Sequence, residues 1–276
     1  MADNRNDYYR SYYDDRSSYW DSVYKTARKE LSIYAVHFKQ RRELILEIID
    51  ALGLARDSNA LDAGCGPGAY LAPLLEKGFR VSAVDQSAGM VEKAGKNFPA
   101  HFADRVRLTV SSLESLPFAN EEFDLALNVA VLMYVSEDAR TIAEIYRVLK
   151  PGGTLIITVD NKRDLADMLD LPMRLKRLWR RWRPTTKKAI GPGDRPATVK
   201  PRNYGPTELK YLLQSAGFVI DEEESIGFAP LLLNGKRIFS EPADLRLDRL
   251  LQILRRIPRL RLMGYTYLCR CHRPLR

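Results

Sequence analysis

The chain has 276 residues, of which 45% are hydrophobic and 29% are charged, and its formal net charge at pH 7 is +9. This composition is typical of a folded globular protein with a full core. No apolar run approaches the roughly 18 residues of a membrane span, and the polar N-terminus lacks a secretory pattern, so we expect a cytoplasmic protein. The three cysteines provide neither a disulfide framework nor a zinc-ligand pattern, and we predict no metal site.

The positive charge is concentrated in two segments. Residues 162–201 and 245–276 carry a net charge of +8 each, which leaves −7 on the remainder of the chain. Such asymmetry indicates an acidic partner, which could be a lipid surface, an anionic substrate or nucleic acid.

The N-terminal 40 residues hold many tyrosines among charges, which predicts a helical arm that docks on the main domain or covers its site as a lid. From residue 41 to 276, apolar runs typical of strands alternate with helical patterns. The predicted strands cover Ala60–Ala63, Arg80–Val84, Val106–Val110, Phe123–Asn128, Thr154–Val159, Phe218–Glu223 and Gly264–Cys271. This rhythm predicts an α/β fold with a doubly wound, Rossmann-like sheet that binds ligands at the carboxyl ends of its strands.

A basic insertion at 162–203 interrupts the rhythm after the fifth strand, and a second amphipathic helix at 243–257 precedes the last strand. In the insertion, Leu171, Leu175, Leu178 and Trp182 share one helical face among arginines and lysines. This pattern fits a solvated helix, a substrate cap, or a helix that lies on an anionic membrane through residues 165–183. We favour a lid that handles a lipophilic or anionic small molecule at a membrane surface.

The most informative stretch is Asp62-Ala63-Gly64-Cys65-Gly66-Pro67-Gly68, a glycine-rich turn between a predicted strand and a predicted helix. The turn fits the dinucleotide-binding fingerprint G-x-G-x-x-G/A, because Ala69 occupies the last position and the acidic Asp85 follows about 20 residues after the glycines. However, Pro67 has no backbone N–H to donate to a diphosphate at the start of the helix. The carboxylate of Asp62 would repel a diphosphate, whereas it would attract an ammonium group. A ligand with an amino-acid end and a ribose end meets both objections, and S-adenosylmethionine is such a ligand.

In this turn the chain resembles the class I S-adenosylmethionine-dependent methyltransferases, in the ubiquinone/menaquinone-biosynthesis-like, methyltransferase type 11 branch, whose first motif reads D/E-x-G-x-G-x-G. Four later stretches resemble further motifs of the family: residues 85–90, 110–118, 123–128 and 149–153. The resemblance is strong over about 42–160 and weak over 204–225 and 264–273. It implies a seven-stranded sheet with the last strand antiparallel, and S-adenosyl-L-methionine as cofactor.

The resemblance also implies which residues hold the cofactor. Asp85 would accept the ribose hydroxyls, Met90 would pack on the adenine, and Asn128 would lie beside the methionine portion. Ser112 stands where the family's adenine-binding aspartate is expected, so this contact would lack a charge. The predicted cofactor residues are Asp62, Gly64, Cys65, Gly66, Asp85, Gln86, Met90, Ser112, Leu113 and Asn128.

The acceptor is less well defined by the sequence. An oxygen acceptor would need a general base, and His37, Tyr134 and Tyr204 are the candidates for catalytic residues. We predict methyl transfer to an oxygen, nitrogen or carbon of a small molecule. Transfer to RNA is the alternative reaction, although the fourth strand lacks the N/D-P-P-Y/F and Pro-Cys signatures of base methylation. A catalytically silent binding subunit is the alternative outside enzymes.

Overall fold

The computed structural model describes residues 3–26, 32–182, 201–258 and 260–275. The described strands, in chain order, are β1 (Asn59–Ala63), β2 (Arg80–Asp85), β3 (Val106–Val110), β4 (Phe123–Val129), β5 (Leu149–Asp160), β6 (Val219–Ile226), β7 (Leu232–Leu233), β8 (Lys236–Arg237) and β9 (Thr266–His272). Seven of them form one sheet in the order β3-β2-β1-β4-β5-β9-β6, and β7 pairs with β8. Strand β9 is antiparallel to both neighbours and the other pairs are parallel, so the predicted fold is confirmed.

The described α-helices flank this sheet. They are α1 (Asp3–Asp15), α2 (Ser17–Thr26), α3 (Ile33–Ala51), α4 (Leu71–Glu76), α5 (Ala88–Gly95), α6 (Asp138–Val148), α7 (Leu165–Leu169), α8 (Leu171–Trp182), α9 (Pro206–Ser215) and α10 (Glu241–Leu251). Within the described ranges, none is long and apolar enough to cross a bilayer.

Both faces of the sheet are buried. Along β5, Leu155 and Ile157 join one buried hydrophobic cluster, whereas Ile156 between them joins the cluster on the opposite face. Successive side chains of a strand point to opposite faces, so a central strand covered by helices on both sides must be apolar throughout. This explains why the second half of β5, Thr154–Val159, reads as a nearly continuous apolar run.

Several element boundaries differ from the sequence predictions. Helix α3 starts well before Arg41, because the Ser32 side chain caps it by accepting a hydrogen bond from Ala35 N at 3.1 Å. The predicted turn at 149–153 lies inside β5, where pairing with β4 shifts register and Gly152 has φ +80°. The β7–β8 hairpin was not predicted. Residues 183–200 of the predicted insertion lie outside the described residues.

The topology places a site at one edge of the sheet. The parallel strands β1 to β5 all end at this edge, and the antiparallel β9 begins there with Thr266, opposite Asp160 of β5. Side chains that follow β1, β2, β4 and β5 and those that precede β9 therefore converge on one side of the molecule.

Candidate active site

A cavity of about 710 Å³ lies at the carboxyl edge of the sheet. Nine of the ten predicted cofactor residues line it: Asp62, Gly64, Cys65, Gly66, Asp85, Gln86, Met90, Ser112 and Leu113. We call the part of the cavity formed by these nine residues the glycine end. A second set of lining residues is aromatic, and we call the part of the cavity that they form the aromatic end: Tyr13, Trp20, Tyr34, Phe38, Tyr134 and Tyr265.

The glycines of the turn have different structural roles. Gly64 has φ +87°, and a Cβ added there would lie 2.4 Å from Cγ2 of Val131. Gly66 has φ +51°, but a Cβ there would meet nothing within 4 Å. Gly64 is therefore needed for packing between β1 and the segment after β4, whereas Gly66 keeps the cavity wall open for a ligand to approach the backbone.

Backbone hydrogen bonds fix the carboxylate of Asp85. Its Oδ2 accepts from Gly66 N at 2.9 Å, and its Oδ1 accepts from Ser87 N at 2.9 Å. Burial raises the pKa of Asp85 above its usual value, against the lowering effect of these bonds. A carboxylate offers about four lone-pair positions, so each oxygen can still accept from a ligand hydroxyl.

Asp62 is the buried polar group at this end that most clearly lacks a partner. Its side chain is 1% exposed, and its Oδ2 has no hydrogen-bond partner in the part of the chain that the structure describes. Burial, together with the nearby charge of Asp85, raises its pKa to about 7. A cationic group beside Oδ2 would satisfy this carboxylate, so the residues present fit a ligand that ends in an ammonium.

The structure also shows the surroundings of three further predicted cofactor residues, Cys65, Ser112 and Asn128. Burial raises the pKa of the Cys65 thiol well above its usual value, so this cysteine stays protonated. The Ser112 hydroxyl accepts from Glu114 N at 3.2 Å and lies 3.4 Å from Glu114 Oε2. Asn128 is fully buried and is not among the residues that line the cavity, and its Nδ2 donates to Ala63 O at 3.0 Å. Its Oδ1 is buried and has no hydrogen-bond partner in the described part of the chain, so the contact of Asn128 with the cofactor stays a prediction.

The aromatic end is assembled from distant parts of the chain. The ring of Tyr134, which follows β4, lies edge-on to Tyr9 at 5.0 Å and to Tyr13 at 5.4 Å between centroids. Tyr34 of α3 lies 6.4 Å from Tyr265, just before β9. These contacts make a largely apolar wall that suits a flat or lipophilic ligand.

A polar cluster that the sequence did not reveal lies within this aromatic wall. Asp160, the last residue of β5, accepts a hydrogen bond from the Tyr265 hydroxyl at 3.3 Å between oxygens, and Arg41 lines the same cavity. Burial raises the pKa of Asp160, against the lowering effects of Arg41 and Tyr265. The position of Asp160 at the end of a predicted strand could have marked it as a site residue, whereas no sequence pattern marked Arg41 or Tyr265.

Of the three predicted catalytic residues, His37 and Tyr134 line the cavity. The His37 ring is buried and stacks on Tyr265 at 6.0 Å, and its Nε2 lies 3.5 Å from Asp248 Oδ1. Although burial opposes the charge of Asp248, its contact with His37 and the hydrogen bonds that it accepts from Gln40 Nε2 and Phe228 N lower its pKa to about 2. His37 is thus directed towards a permanent carboxylate on α10, which favours a positioning role.

Tyr204 was expected beside the substrate, but it does not line the cavity. It is buried in the hydrophobic core, and its hydroxyl donates to Asp138 Oδ2 at 2.9 Å. Burial and this bond raise its pKa above the usual value. A tyrosine hydroxyl that already donates to a carboxylate inside the core favours a structural role.

The N-terminal arm, helices α1 and α2, contributes residues such as Tyr13 and Trp20 to the wall of the cavity. On one side, Arg5 donates to Met133 O at 2.7 Å. On the other, Asp14 Oδ1 accepts from Ser87 Oγ at 2.6 Å and from Gly89 N at 3.0 Å, next to the start of α5. The arm is therefore attached to both ends of the cavity.

No cluster of three or more potential metal ligands occurs within the described ranges. The acidic and basic side chains that line the cavity are three carboxylates, one arginine and one histidine, and they lie among aromatic and aliphatic side chains. Together with the glycine turn and the sheet order, they define a nucleotide-type ligand site joined to a second, aromatic site.

Comparison with known proteins assigns this architecture. Residues 61–157 match the family model described as a methyltransferase domain. A malonyl-[acyl-carrier protein] O-methyltransferase of Enterobacter lignolyticus is 33% identical over 129 residues, which are 45% of this chain and 49% of that protein. Methyltransferase YodH of Bacillus subtilis is 43% identical over 103 residues, 36% of this chain and 42% of that protein. The chain thus spans less than half the length of these curated relatives.

A solved structure extends the likeness in fold over nearly the whole chain. Magnesium protoporphyrin IX methyltransferase from Synechocystis PCC 6803, with bound S-adenosylhomocysteine, aligns with a TM-score of 0.62 at 16% identity. The alignment covers 98% of this chain and 99% of that protein. Residues 61–157 therefore form a domain of the class I S-adenosylmethionine-dependent methyltransferases, and S-adenosyl-L-methionine is the cofactor of this domain.

Proposed function

We propose that this chain transfers a methyl group from S-adenosyl-L-methionine to a small-molecule acceptor. The observation that supports the proposal most directly is that one cavity joins the glycine end, with Asp62 and Asp85, to the aromatic end, with Tyr134 and Tyr265. The similar proteins support methyl transfer as well, because one is a malonyl-[acyl-carrier protein] O-methyltransferase and another is a magnesium protoporphyrin IX methyltransferase.

In this proposal the glycine end holds the cofactor. Asp62 would face its ammonium group, Asp85 its ribose hydroxyls, and Met90 and Leu113 its adenine. When bound, S-adenosylmethionine supplies a methyl group that its sulfonium already activates for transfer. The protein residues then need to orient the acceptor and exclude water, and an oxygen acceptor also needs a group that holds its proton.

The arm would act as the lid that excludes water. It bridges the two ends of the cavity through hydrogen bonds from Arg5 and to Asp14, and it places Tyr13 and Trp20 in the wall. A closed site strengthens every electrostatic interaction inside it, because fewer water dipoles screen the charges. It also favours a small acceptor over a segment of RNA, so we treat RNA as an outcome of the test.

The test is calorimetric titration with S-adenosylhomocysteine, followed by transfer of a labelled methyl group to a lipid extract and to total RNA. We expect the wild type to bind the ligand and Asp85→Asn to bind about 10- to 100-fold more weakly, since a charged hydrogen-bond acceptor is lost. Asp57→Asn, at an exposed carboxylate paired with Arg105, is the matched control. No binding by the wild type would identify a silent subunit, and salt-sensitive transfer to RNA would favour the RNA alternative.

We also propose that α7 and α8 contact an anionic lipid surface. Leu171 and Leu175, whose side chains are 62% and 65% exposed, lie beside Arg174 and Lys176 on α8. The side chains of Leu178 and Trp182 lie outside the described residues. Exposed leucines among basic residues have the composition of a helix that lies in a lipid interface. The α7–α8 segment follows β5, so this surface lies at the same edge of the sheet as the cavity.

Vesicle co-sedimentation tests this contact. We expect binding to vesicles of phosphatidylcholine with phosphatidylserine, little binding to phosphatidylcholine alone, and about tenfold weaker binding by Leu171→Ser/Leu175→Ser. Val219→Ser is the control, because Val219 is also exposed but begins β6 at the opposite edge. Equal binding by the double variant and the wild type would contradict the proposal.

A further inference from the structure

The aromatic end contains one pair of opposite charges, and this pair restricts what can bind there. Asp160 and Arg41 both line the cavity, and Arg41 is only 5% exposed. The charge of Arg41 acts directly on the carboxylate of Asp160. Each charge thus offsets the other within the wall.

The hydrogen bonds of Asp160 leave one position for a ligand. Its Oδ2 accepts from the Tyr265 hydroxyl, and in the described residues its Oδ1 has no hydrogen-bond donor. Tyr265 keeps its proton, because burial and the charge of Asp160 raise its pKa well above the usual value. It therefore acts as a fixed donor that orients the carboxylate. A carboxylate held in this way can accept a hydrogen bond from a ligand hydroxyl.

We propose that the aromatic end is an acceptor subsite for an uncharged, flat ligand that carries a hydroxyl group, which donates a hydrogen bond to Oδ1 of Asp160. The six aromatic side chains of this end would contact its apolar body. Asp160 is then also the group that can hold the proton of that hydroxyl.

The same geometry disfavours a carboxylate ligand. Such a ligand would bring a second negative charge next to Asp160 in a buried site, where like charges repel strongly. Arg41 would otherwise be a suitable partner for it, but its charge already acts on Asp160. The inference rests on the proposed function and narrows the expected acceptor from lipophilic or anionic to lipophilic and uncharged.

A matched pair of probes tests the inference. We would saturate the protein with S-adenosylhomocysteine and measure the dissociation constants of 2-naphthol and 2-naphthoate by calorimetry. The two probes share one aromatic body and differ in a hydroxyl against a carboxylate. We expect the wild type to prefer 2-naphthol by at least about tenfold. In Asp160→Asn we expect the ratio to move about tenfold towards 2-naphthoate, because the repelling charge is gone while Arg41 remains.

Asp57→Asn is the control. Asp57 is an exposed carboxylate that pairs with Arg105 and does not line the cavity. We expect its ratio to match that of the wild type. An unchanged ratio in Asp160→Asn, a wild-type preference for 2-naphthoate, or failure of 2-naphthol to bind would each overturn the inference. Failure of the proposed function would show earlier, as absent binding of S-adenosylhomocysteine.

Discussion

The two ends of the cavity are built from different kinds of chain segment. The glycine end comes from residues 62–113, one continuous segment that runs from β1 to just beyond β3. Its main polar groups are backbone amides and the carboxylates of Asp62 and Asp85. The aromatic end combines the arm, α3, the segment after β4, the end of β5 and the start of β9. The first is specified by local spacing and the second by tertiary packing, so an unchanged glycine end can be combined with many different acceptor sites.

The largest expected effects come from two glycine variants that fail in different ways. Gly64→Ala should lower the free energy of unfolding by about 2–5 kcal/mol, since its Cβ meets Val131 at φ +87°. Gly66→Ala has open space around its Cβ and should cost about 1–2 kcal/mol, for its left-handed backbone alone.

Gly66→Ala should instead weaken S-adenosylhomocysteine binding by about tenfold or more, because the new methyl group occupies space that the ligand needs. Urea denaturation and calorimetry on both variants would separate packing from ligand contact. If Gly66→Ala bound the ligand normally, the backbone of the turn would not approach the ligand.

The next largest effect is a pH dependence at the glycine end. The pKa of Asp62 is about 7 in the free protein, with Asp85 as the charge that faces it. An ammonium-bearing ligand favours the carboxylate, so below pH 7 binding must release a proton. The affinity for S-adenosylhomocysteine should therefore fall about tenfold from pH 8 to pH 6.

Asp62→Asn should bind more weakly and show a flat profile over this pH range. The same shift predicts that the free protein loses stability as the pH rises from about 4 to 7, since the native state binds the proton more tightly than the unfolded state. A wild-type binding profile as flat as that of the variant would show that Asp62 does not meet the ammonium.

A smaller effect is expected when a hydrogen-bonded contact of the arm is removed. Asp14→Ala removes the acceptor for Ser87 Oγ and Gly89 N, so the lid should open more often. We expect S-adenosylhomocysteine to dissociate about three- to tenfold faster in stopped-flow measurements. Asp7→Ala, which removes only an exposed ion pair with Arg10 in the same helix, should leave the rate unchanged.

The smallest effect is expected at Tyr204, which the sequence had placed at the acceptor. Tyr204→Phe loses one hydrogen bond to Asp138 and should lower the free energy of unfolding by about 1 kcal/mol. Binding of S-adenosylhomocysteine and of 2-naphthol should stay within about twofold of the wild type, since only a bond outside the cavity is lost. A large loss of 2-naphthol binding would mean that Tyr204 reaches the acceptor after all.

The same contrast explains what the sequence could predict. Apolar periodicity predicted the positions of the seven strands of the main sheet and their mainly parallel pairing. The antiparallel last strand and several cofactor residues, such as Met90 and Ser112, were predicted only through the family resemblance. Asn128 fits the family motif at the end of β4, but it is not among the residues that line the cavity, and its Nδ2 donates to Ala63 O. Arg41 and Tyr265 reach Asp160 from distant parts of the chain, and no local pattern in the sequence records such long-range contacts.

A crystal structure of the chain with bound S-adenosylhomocysteine would test the central claim most directly. We expect the carboxylate of Asp85 to contact the ribose and Asp62 to lie beside the amino group. We also expect the sulfur to face the aromatic end, with Tyr134 and Asp160. A ligand whose ribose lies away from Asp85, or whose sulfur points away from Asp160, would contradict it.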